Sequence, residues 1–254
     1  MVYLFTLAPD LTWANHSADG GELITAAVTL GVPHPPGYPT YVLLGKLFSF
    51  LPIGTVAYRF NLLSAICVAL AGAFATVIGY SKIQNPKSKI AAALAFAFAP
   101  LVWGQALVAE VYGLNLLFVA AVLWATLNGR PGWLRGLLLG LSVTTHLTSL
   151  LLTPLIVGTT RRNQRPALLL GCLVGLTPFL VIPWLARGGS PVVWGEPTTL
   201  SGWWWLVSGR LYQANVLALP TAEWLPRAQQ WFLSLTTQFT WFGFPLLLIG
   251  AFTS

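Results

Sequence analysis

Apolar runs of about twenty residues recur along this chain, and they restrict its fold more than anything else in it. Lipid offers the backbone no hydrogen-bond partner, so a spanning segment must be a helix or part of a closed barrel. The runs show no two-residue alternation, so helix is the reading. Composition agrees: 56% of residues are hydrophobic and 7% charged, against roughly 25% charged in a soluble domain. The expected fold is all-α, a polytopic transmembrane helix bundle in which residues 1–254 form a single integral membrane domain. The net charge of +7 does not indicate nucleic acid, because the cations sit in loops between apolar runs and make no basic face. Cys67 and Cys172 each lie inside an apolar run and are expected as small buried side chains, not as a disulfide. Met1 to Pro9 is too short to span and lacks a basic leader. It is expected at the interface or as the remnant of a longer start, with the chain as part of a longer protein.

Taken in order, residues 10–37 read as a polar loop with a short helix near Glu22–Leu30. Residues 38–51 are apolar but only about 21 Å long as helix, short of a ~30 Å hydrocarbon core, and are expected to lie flat in the interface. Spans are expected at Asn61–Tyr80, Ile90–Val108, Val111–Leu127, Pro166–Ala186 and 228–252. The stretch Trp133–Gly158 could be one span. However, Thr144-Thr145-His146 interrupts it and basic residues flank both ends, which favours a hairpin of two short helices. Residues 187–226 read as a long loop rich in Trp and Tyr, suited to a membrane–water boundary. With 38–51 flat and 133–158 folded back, Lys82, Lys87, Lys89, Arg130, Arg135, Arg161, Arg162 and Arg165 fall on one side. All six acids (Asp10, Asp19, Glu22, Glu110, Glu196 and Glu223) fall on the other.

Two of those acids stand in the stretch Asp19-Gly20-Gly21-Glu22, which leads to His34-Pro35-Pro36-Gly37-Tyr38-Pro39. Asp19-x-x-Glu22 before an apolar run has the pattern of a helix capping box. It equally suits a general base, since a carboxylate against a low-dielectric surface is raised toward a useful pKa. The His34–Pro39 block is either a rigid turn or a stiff pocket wall with His34 donating to an anionic or hydroxylated ligand. Glu110, with Tyr112 beside it, is an ionisable group in an apolar turn, where cost selects for function. His146 is either a packing residue or a lining of the same pocket. Arg59 and Arg210 could pair with the acids or hold a phosphate. A divalent metal on Asp19, Glu22 and Glu110 is an open option that no spacing selects. No Walker loop, Rossmann glycines, His-Glu-x-x-His or Cys-x-x-Cys is present, so nucleotide-driven transport by this chain alone is not expected.

Several of these blocks together resemble a known family. Asp19-Gly20-Gly21-Glu22, Leu30-Gly31-Val32-Pro33-His34-Pro35-Pro36-Gly37-Tyr38-Pro39 and Ala57-Tyr58-Arg59-Phe60-Asn61 are similar to the transmembrane-protein-260-like O-mannosyltransferases. Ala109-Glu110-Val111-Tyr112, His146-Leu147-Thr148 and Trp194-Gly195-Glu196-Pro197 agree in order. The resemblance implies the GT-C class of multi-span glycosyltransferases, with interfacial helices in the first extracytoplasmic loop. It implies a polyprenyl-phosphate sugar as donor, mannose as the sugar, and a protein or glycan hydroxyl as acceptor. It makes Asp19 the catalytic acid of that loop, with Glu22 beside it. His34, Tyr38, Arg59, Glu110, Tyr112, His146, Glu196 and Arg210 are the expected substrate-binding side chains. A bacterial plasma membrane, with the site on the extracytoplasmic side, is the expected location. The alternative is a transporter, lipid-handling protein or scaffold subunit without covalent chemistry; no inverted repeat supports it.

Overall fold

The computed structural model describes residues 2–82, 84–216 and 218–253, and these are largely helical, with one isolated parallel bridge between Val32 and Val193. Helix α1 (Gly20–Thr29) ends where Leu30 turns left-handed at φ 54 and the Gly31 N–H reaches back to Ala26 O. A side chain at Gly31 would run into Ser190 Oγ and Val192 O. Its absence lets the Val32 backbone exchange hydrogen bonds with Val192 and Trp194. Helix α2 (Pro39–Ser49) begins with a proline at its first position, where the fixed φ suits helix entry. At eleven residues, about 16 Å, it is too short to span. Its Gly45 faces the Phe60 ring and Ala27, so it packs between α1 and the next helix, α3 (Val56–Lys82).

Helices α4 (Pro86–Phe98) and α5 (Pro100–Ala106) correct the expected straight span Ile90–Val108. The two are bent by 57° at Ala99. Pro100 has no N–H to donate and drives Ala99 out of helical geometry, to ψ 128. Helix α6 (Val111–Leu127) then runs parallel to α3, Gly113 lying on Ser64 and Trp124 on Phe74 further along.

Helix α7 (Gly132–Thr145) stops at His146, whose backbone is extended (φ −160, ψ 128). A 3-10 turn at Leu147–Leu152 and helix α8 (Thr153–Thr159) bring the chain back. The return is complete: the Arg135 guanidinium donates to Thr160 Oγ1 at 3.2 Å. This is the hairpin read from the charges, with its basic ends together. Helix α9 (Arg165–Gly175) runs parallel to α7 along a seam of glycines. A Cβ at Gly136 would run into Leu168 O, one at Gly171 into Trp133 O, and one at Gly140 would lie 2.7 Å from Gly175 Cα. Small residues four apart let the two backbones touch, as in packed transmembrane pairs. A 3-10 stretch at Thr177–Val181 and helix α10 (Ile182–Leu185) follow, with Pro178 and Pro183 interrupting regular hydrogen bonding.

The loop expected over 187–226 contains two further helices, α11 (Leu200–Val207) and α12 (Arg210–Gln213). The first is capped by Thr199, whose hydroxyl accepts from the Gly202 N–H. Helix α13 (Trp224–Thr253) covers the last expected span. Its side chains beyond residue 239, like those of Lys82 and Lys87, lie outside the described residues. Among the described residues, Val56–Gly79 and Arg162–Leu185 are long and apolar enough to cross a membrane, and the bent pair makes a third candidate. Ile66, Leu70 and Val77 on the first, and Leu169, Leu170 and Leu173 on the second, face outward. Outward apolar faces of this extent suit lipid and not water. Cys67 and Cys172 are both free, and Cys67 is buried.

Candidate active site

The site forms at the end of the bundle where α3 and α6 begin and the α7–α8 hairpin has its tip. Asp19 precedes α1 but does not cap it. Its backbone is helical (φ −94, ψ −5), not extended as a capping residue requires, and its carboxylate accepts nothing from the first turn. Glu22 does not reach back either. Both of its oxygens go to His34: Oε1 accepts from the His34 backbone N–H at 2.8 Å, and Oε2 lies 3.0 Å from Nδ1. The capping-box reading is thereby corrected, and both carboxylates are released from the helix end.

His34 is the hub. The turn that carries it closes with the Gly37 N–H donating to His34 O. Gly37 sits at φ +86, hard against Leu206 and Ile182, where a side chain would be strained and crowded. Tyr38 follows at φ 40, just before α2, where its carbonyl accepts from the Val42 N–H at 3.0 Å. Turn and pocket wall are therefore the same object. With Nδ1–H given to Glu22, the remaining nitrogen Nε2 accepts from the Tyr38 hydroxyl at 2.9 Å and lies 3.8 Å from Asp19 Oδ2. Burial first, then the nearby Tyr212, Tyr112 and carboxylates, raise the Tyr38 phenol and keep its proton in place.

Glu110 comes from 91 residues beyond Asp19. It stands just before α6 and is only 1% exposed. Its Oε1 accepts from the Asp19 backbone N–H at 3.3 Å, which ties the two acids together. Burial, reinforced by the charge of Asp19, pushes its carboxyl up to about 7, and the Asp19 and Val111 N–H groups only partly oppose this. The small backbone of Gly20 makes the approach feasible, since a Cβ there would lie 3.0 Å from Ala109 O.

Around this polar core stand aromatic rings. His146 stacks on Tyr38 with centroids 6.2 Å apart, and Tyr112 packs on His146 at 5.5 Å. His146 is fixed by a 2.8 Å bond between Nδ1 and Thr148 Oγ1. Thr144, two residues earlier, bonds to Thr40 of α2 at 2.6 Å, joining the hairpin tip to the first loop. Trp194 meets His34 edge-on at 6.2 Å. Tyr212 lies near enough for the charges of Asp19 and Glu22 to raise its phenol, after burial. Sequence reasoning did not assign Trp194 or Tyr212 to the site. Trp194 adjoins the flagged Gly195-Glu196-Pro197, but nothing local distinguishes Tyr212 from a boundary aromatic.

Seven of the ten expected side chains thus converge: Asp19, Glu22, His34, Tyr38, Glu110, Tyr112 and His146. Three do not join the network. The Arg59 guanidinium donates to the carbonyls of Ser49 at 2.6 Å, Ile53 at 2.9 Å and Gly54 at 3.3 Å, tying the end of α2 to α3. Glu196 is exposed, and its backbone carbonyl accepts from Thr199. Arg210 is exposed at the start of α12, two residues before Tyr212. Of the six acids expected on one side, Asp19, Glu22 and Glu110 meet in this cluster. Asp10 instead accepts from Thr55 at 3.3 Å, and Glu223 is exposed before α13.

Asp19, Glu22 and His34 each offer a ligand atom within 4.8 Å of the others. Two carboxylate oxygens and an imidazole suit a divalent first-row cation. His34 stands here in place of Glu110, the third residue of the option left open by the sequence. Metal binding would require His34 to release Glu22 or Tyr38, because both ring nitrogens are engaged.

Comparison with known proteins bears on this arrangement. A family model described as the Protein O-mannosyl-transferase TMEM260 N-terminal domain matches residues 19–165. The match opens on Asp19 and takes in all seven convergent side chains, leaving Trp194 and Tyr212 outside. The chain is 33% identical over 208 residues to mouse Protein O-mannosyl-transferase TMEM260, covering 72% of this chain and 29% of the mouse protein. It is 33% identical over 127 residues to the Dictyostelium discoideum protein of the same name, covering 49% of this chain and 15% of that protein. The chain therefore spans less than a third of either relative. Both organisms are eukaryotes, so these relatives lend no support to a bacterial plasma membrane. No solved structure matches the chain significantly. With more than half of its length matched and the whole carboxylate–imidazole cluster inside the match, the chain belongs to the TMEM260 protein O-mannosyl-transferase family.

Proposed function

We propose that residues 1–254 form a membrane-embedded glycosyltransferase domain of GT-C type. It moves a sugar, mannose by the names of its relatives, from a polyprenyl-phosphate lipid to a hydroxyl on a protein or glycan acceptor. The observation that carries this reading is the division of labour among three carboxylates. Glu22 spends both oxygens on His34, and Glu110 is buried beneath the Asp19 backbone. Asp19 alone keeps a half-exposed carboxylate, its side chain 48% accessible, facing outward from a fixed position. A general base needs that combination of access and support.

In the proposed step the acceptor oxygen attacks the anomeric carbon as its proton passes to Asp19. The bond from that carbon to the phosphate oxygen breaks, the lipid phosphate leaves with the electron pair, and the anomeric centre inverts. The donor carries its own leaving group, so no nucleotide motif is required. Arg210 neutralises the departing phosphate in this scheme, because Arg59 is committed to three carbonyls. A divalent cation, where the protein uses one, would be held by Asp19, Glu22 and His34 and would supply charge to the same leaving group. The site is assigned to the extracytoplasmic side, because Arg130, Arg135 and Arg161 cluster at the opposite end of the bundle and cations favour the cytoplasm.

The test uses the full-length protein in lipid nanodiscs, with labelled polyprenyl-phosphate mannose and an acceptor peptide. Asp19→Asn is expected to lower kcat by about 100-fold or more while leaving thermal unfolding unchanged. Transfer at the wild-type rate would remove Asp19 from the mechanism and the reading with it.

A further inference from the structure

We infer that Tyr112, Trp194 and Tyr212 form a platform on which the hexose ring of the donor lies; this rests on the sugar-transfer reading and extends it to sugar recognition. All three rings are about two-fifths open, at 44%, 41% and 43% exposure, beside a hub, His34, that is closed off. They arrive from three separate parts of the chain, each held by its own support. Tyr112 stands in the first turn of α6 against His146. Trp194 is clamped by its N–H to Val32 O at 3.0 Å and meets the His34 ring. Tyr212 is carried by α12, and Gly209 just before it, at φ +61, is pressed on Leu147, the neighbour of His146. Part-exposed rings set around the His34 and His146 side chains leave room for a flat partner.

Charge identifies that partner. Asp19 and Glu22 lie near Tyr212, Asp19 lies near Tyr112, and both carboxylates contact the His34 ring that Trp194 meets; among the described residues no Lys or Arg side chain bonds to either. Without a cation an anion is disfavoured against these carboxylates, so the sugar, not the phosphate, is the part of the donor that meets them directly. A hexose ring fits: its C–H face packs on aromatic rings, and its hydroxyls donate to carboxylates. The competing role is a belt of interfacial anchors, which aromatics near a boundary commonly form. Trp204 separates the two. It lies in the same region, is 60% exposed, and its ring meets Trp203.

The experiment measures octyl α-mannoside and octyl phosphate binding to the full-length protein in nanodiscs by saturation-transfer NMR, together with donor KM and kcat. Trp194→Ala and Tyr212→Ala are expected to weaken octyl mannoside binding about ten-fold, the upper end for one aromatic pairing. Donor KM should rise in step, with kcat held within about two-fold. Trp204→Ala should behave as wild type, and octyl phosphate binding should not respond to any of these variants. Equal losses with Trp204→Ala, unchanged mannoside affinity in both alanine variants, or no mannoside binding by the wild type would each overturn the platform. Wild-type protein that binds mannoside in the expected pattern yet transfers nothing would sink the transfer reading and leave the platform standing.

Discussion

The seam between α7 and α9 and the cluster around His34 are built on opposite terms. In the seam, five glycines let one backbone lie on another, so closely that a methyl group has no room. No side-chain chemistry is exposed there, and the fit allows a single arrangement. In the cluster, side chains from the first loop, the start of α6 and the hairpin tip meet through hydrogen bonds and ring edges, and Asp19 stays half open. The two regions are connected. The seam holds α7 in place, and α7 ends in Thr144 and His146, which touch the first loop. Reactive groups that must stay accessible are poorly placed to fix their own geometry, so rigidity is supplied from the far end of the same helix.

The largest effect expected from that view is at the seam. A Cβ at Gly136 would run into Leu168 O and lie 2.7 Å from Cys172 N, both backbone atoms that cannot step aside. Gly136→Val should cost more than about 4 kcal/mol, in the range of severe core lesions. It should abolish cooperative thermal unfolding in detergent and remove all transfer. Gly158→Ala is the matched control, because nothing lies within 4 Å of the new methyl. A Gly136→Val protein that melts like wild type would show the seam to be loose and the division of roles wrong.

The next effect separates holding from reacting inside the cluster. Glu22 fixes His34 through both the backbone N–H and the ring. Glu22→Gln keeps one acceptor but loses the charge and one of the two matched oxygens. Partners that orient a reactive group are typically worth about 10–100-fold in activity. We expect kcat to fall by that factor with unfolding temperature nearly unchanged, and the His34 ring resonances to shift. A variant with normal kcat and a displaced His34 would show that the orientation of His34 does not matter to the reaction.

The same contrast explains what could be read from the chain. The shortness of α2 and the break at Thr144-Thr145-His146 were legible because length and local charge decide them. The bend at Pro100 was hidden by the apolar run continuing through it. The glycines at 132, 136 and 140, matched by 171 and 175, carry a visible four-residue spacing, but their partner helix is fixed only by packing. Asp19-x-x-Glu22 shows how a local pattern misleads. Its spacing fits a cap, yet the pull of Glu110 and His34 sets the backbone and side chains otherwise. Trp194 and Tyr212 were illegible because their place depends on Gly31 and Gly209, far from either in function and without side chains to signal it.

Glu110 gives a smaller effect with a definite sign. Burial and then Asp19 lift its carboxyl to about 7 from an ordinary 4.5. As pH rises through the ordinary value, the unfolded chain loses the proton while the folded chain retains it, so folding is weakened from there up to the folded value. Below the lower value the two states bind the proton alike, and no penalty arises. Between pH 5 and 8 the wild type should therefore lose thermal stability that Glu110→Gln does not lose. Parallel melting curves for the two proteins over that range would place Glu110 in water and remove its tie to Asp19.

The smallest effect concerns the two arginines, which sequence alone could not tell apart. Arg59 donates to three carbonyls between the end of α2 and the start of α3, so it belongs with the seam as architecture. Arg210 is exposed beside Tyr212 on α12. Arg59→Lys retains the charge but cannot reproduce the planar fork that reaches all three acceptors. It should cost about 1 kcal/mol of stability, the usual worth of a partly solvated hydrogen-bond set, with donor KM unaltered. Arg210→Ala should do the reverse, raising donor KM while leaving unfolding untouched. If Arg59→Lys raised KM and Arg210→Ala did not, the phosphate would lie at the α2–α3 junction, and the open face of the site would have to be redrawn on that side of Asp19.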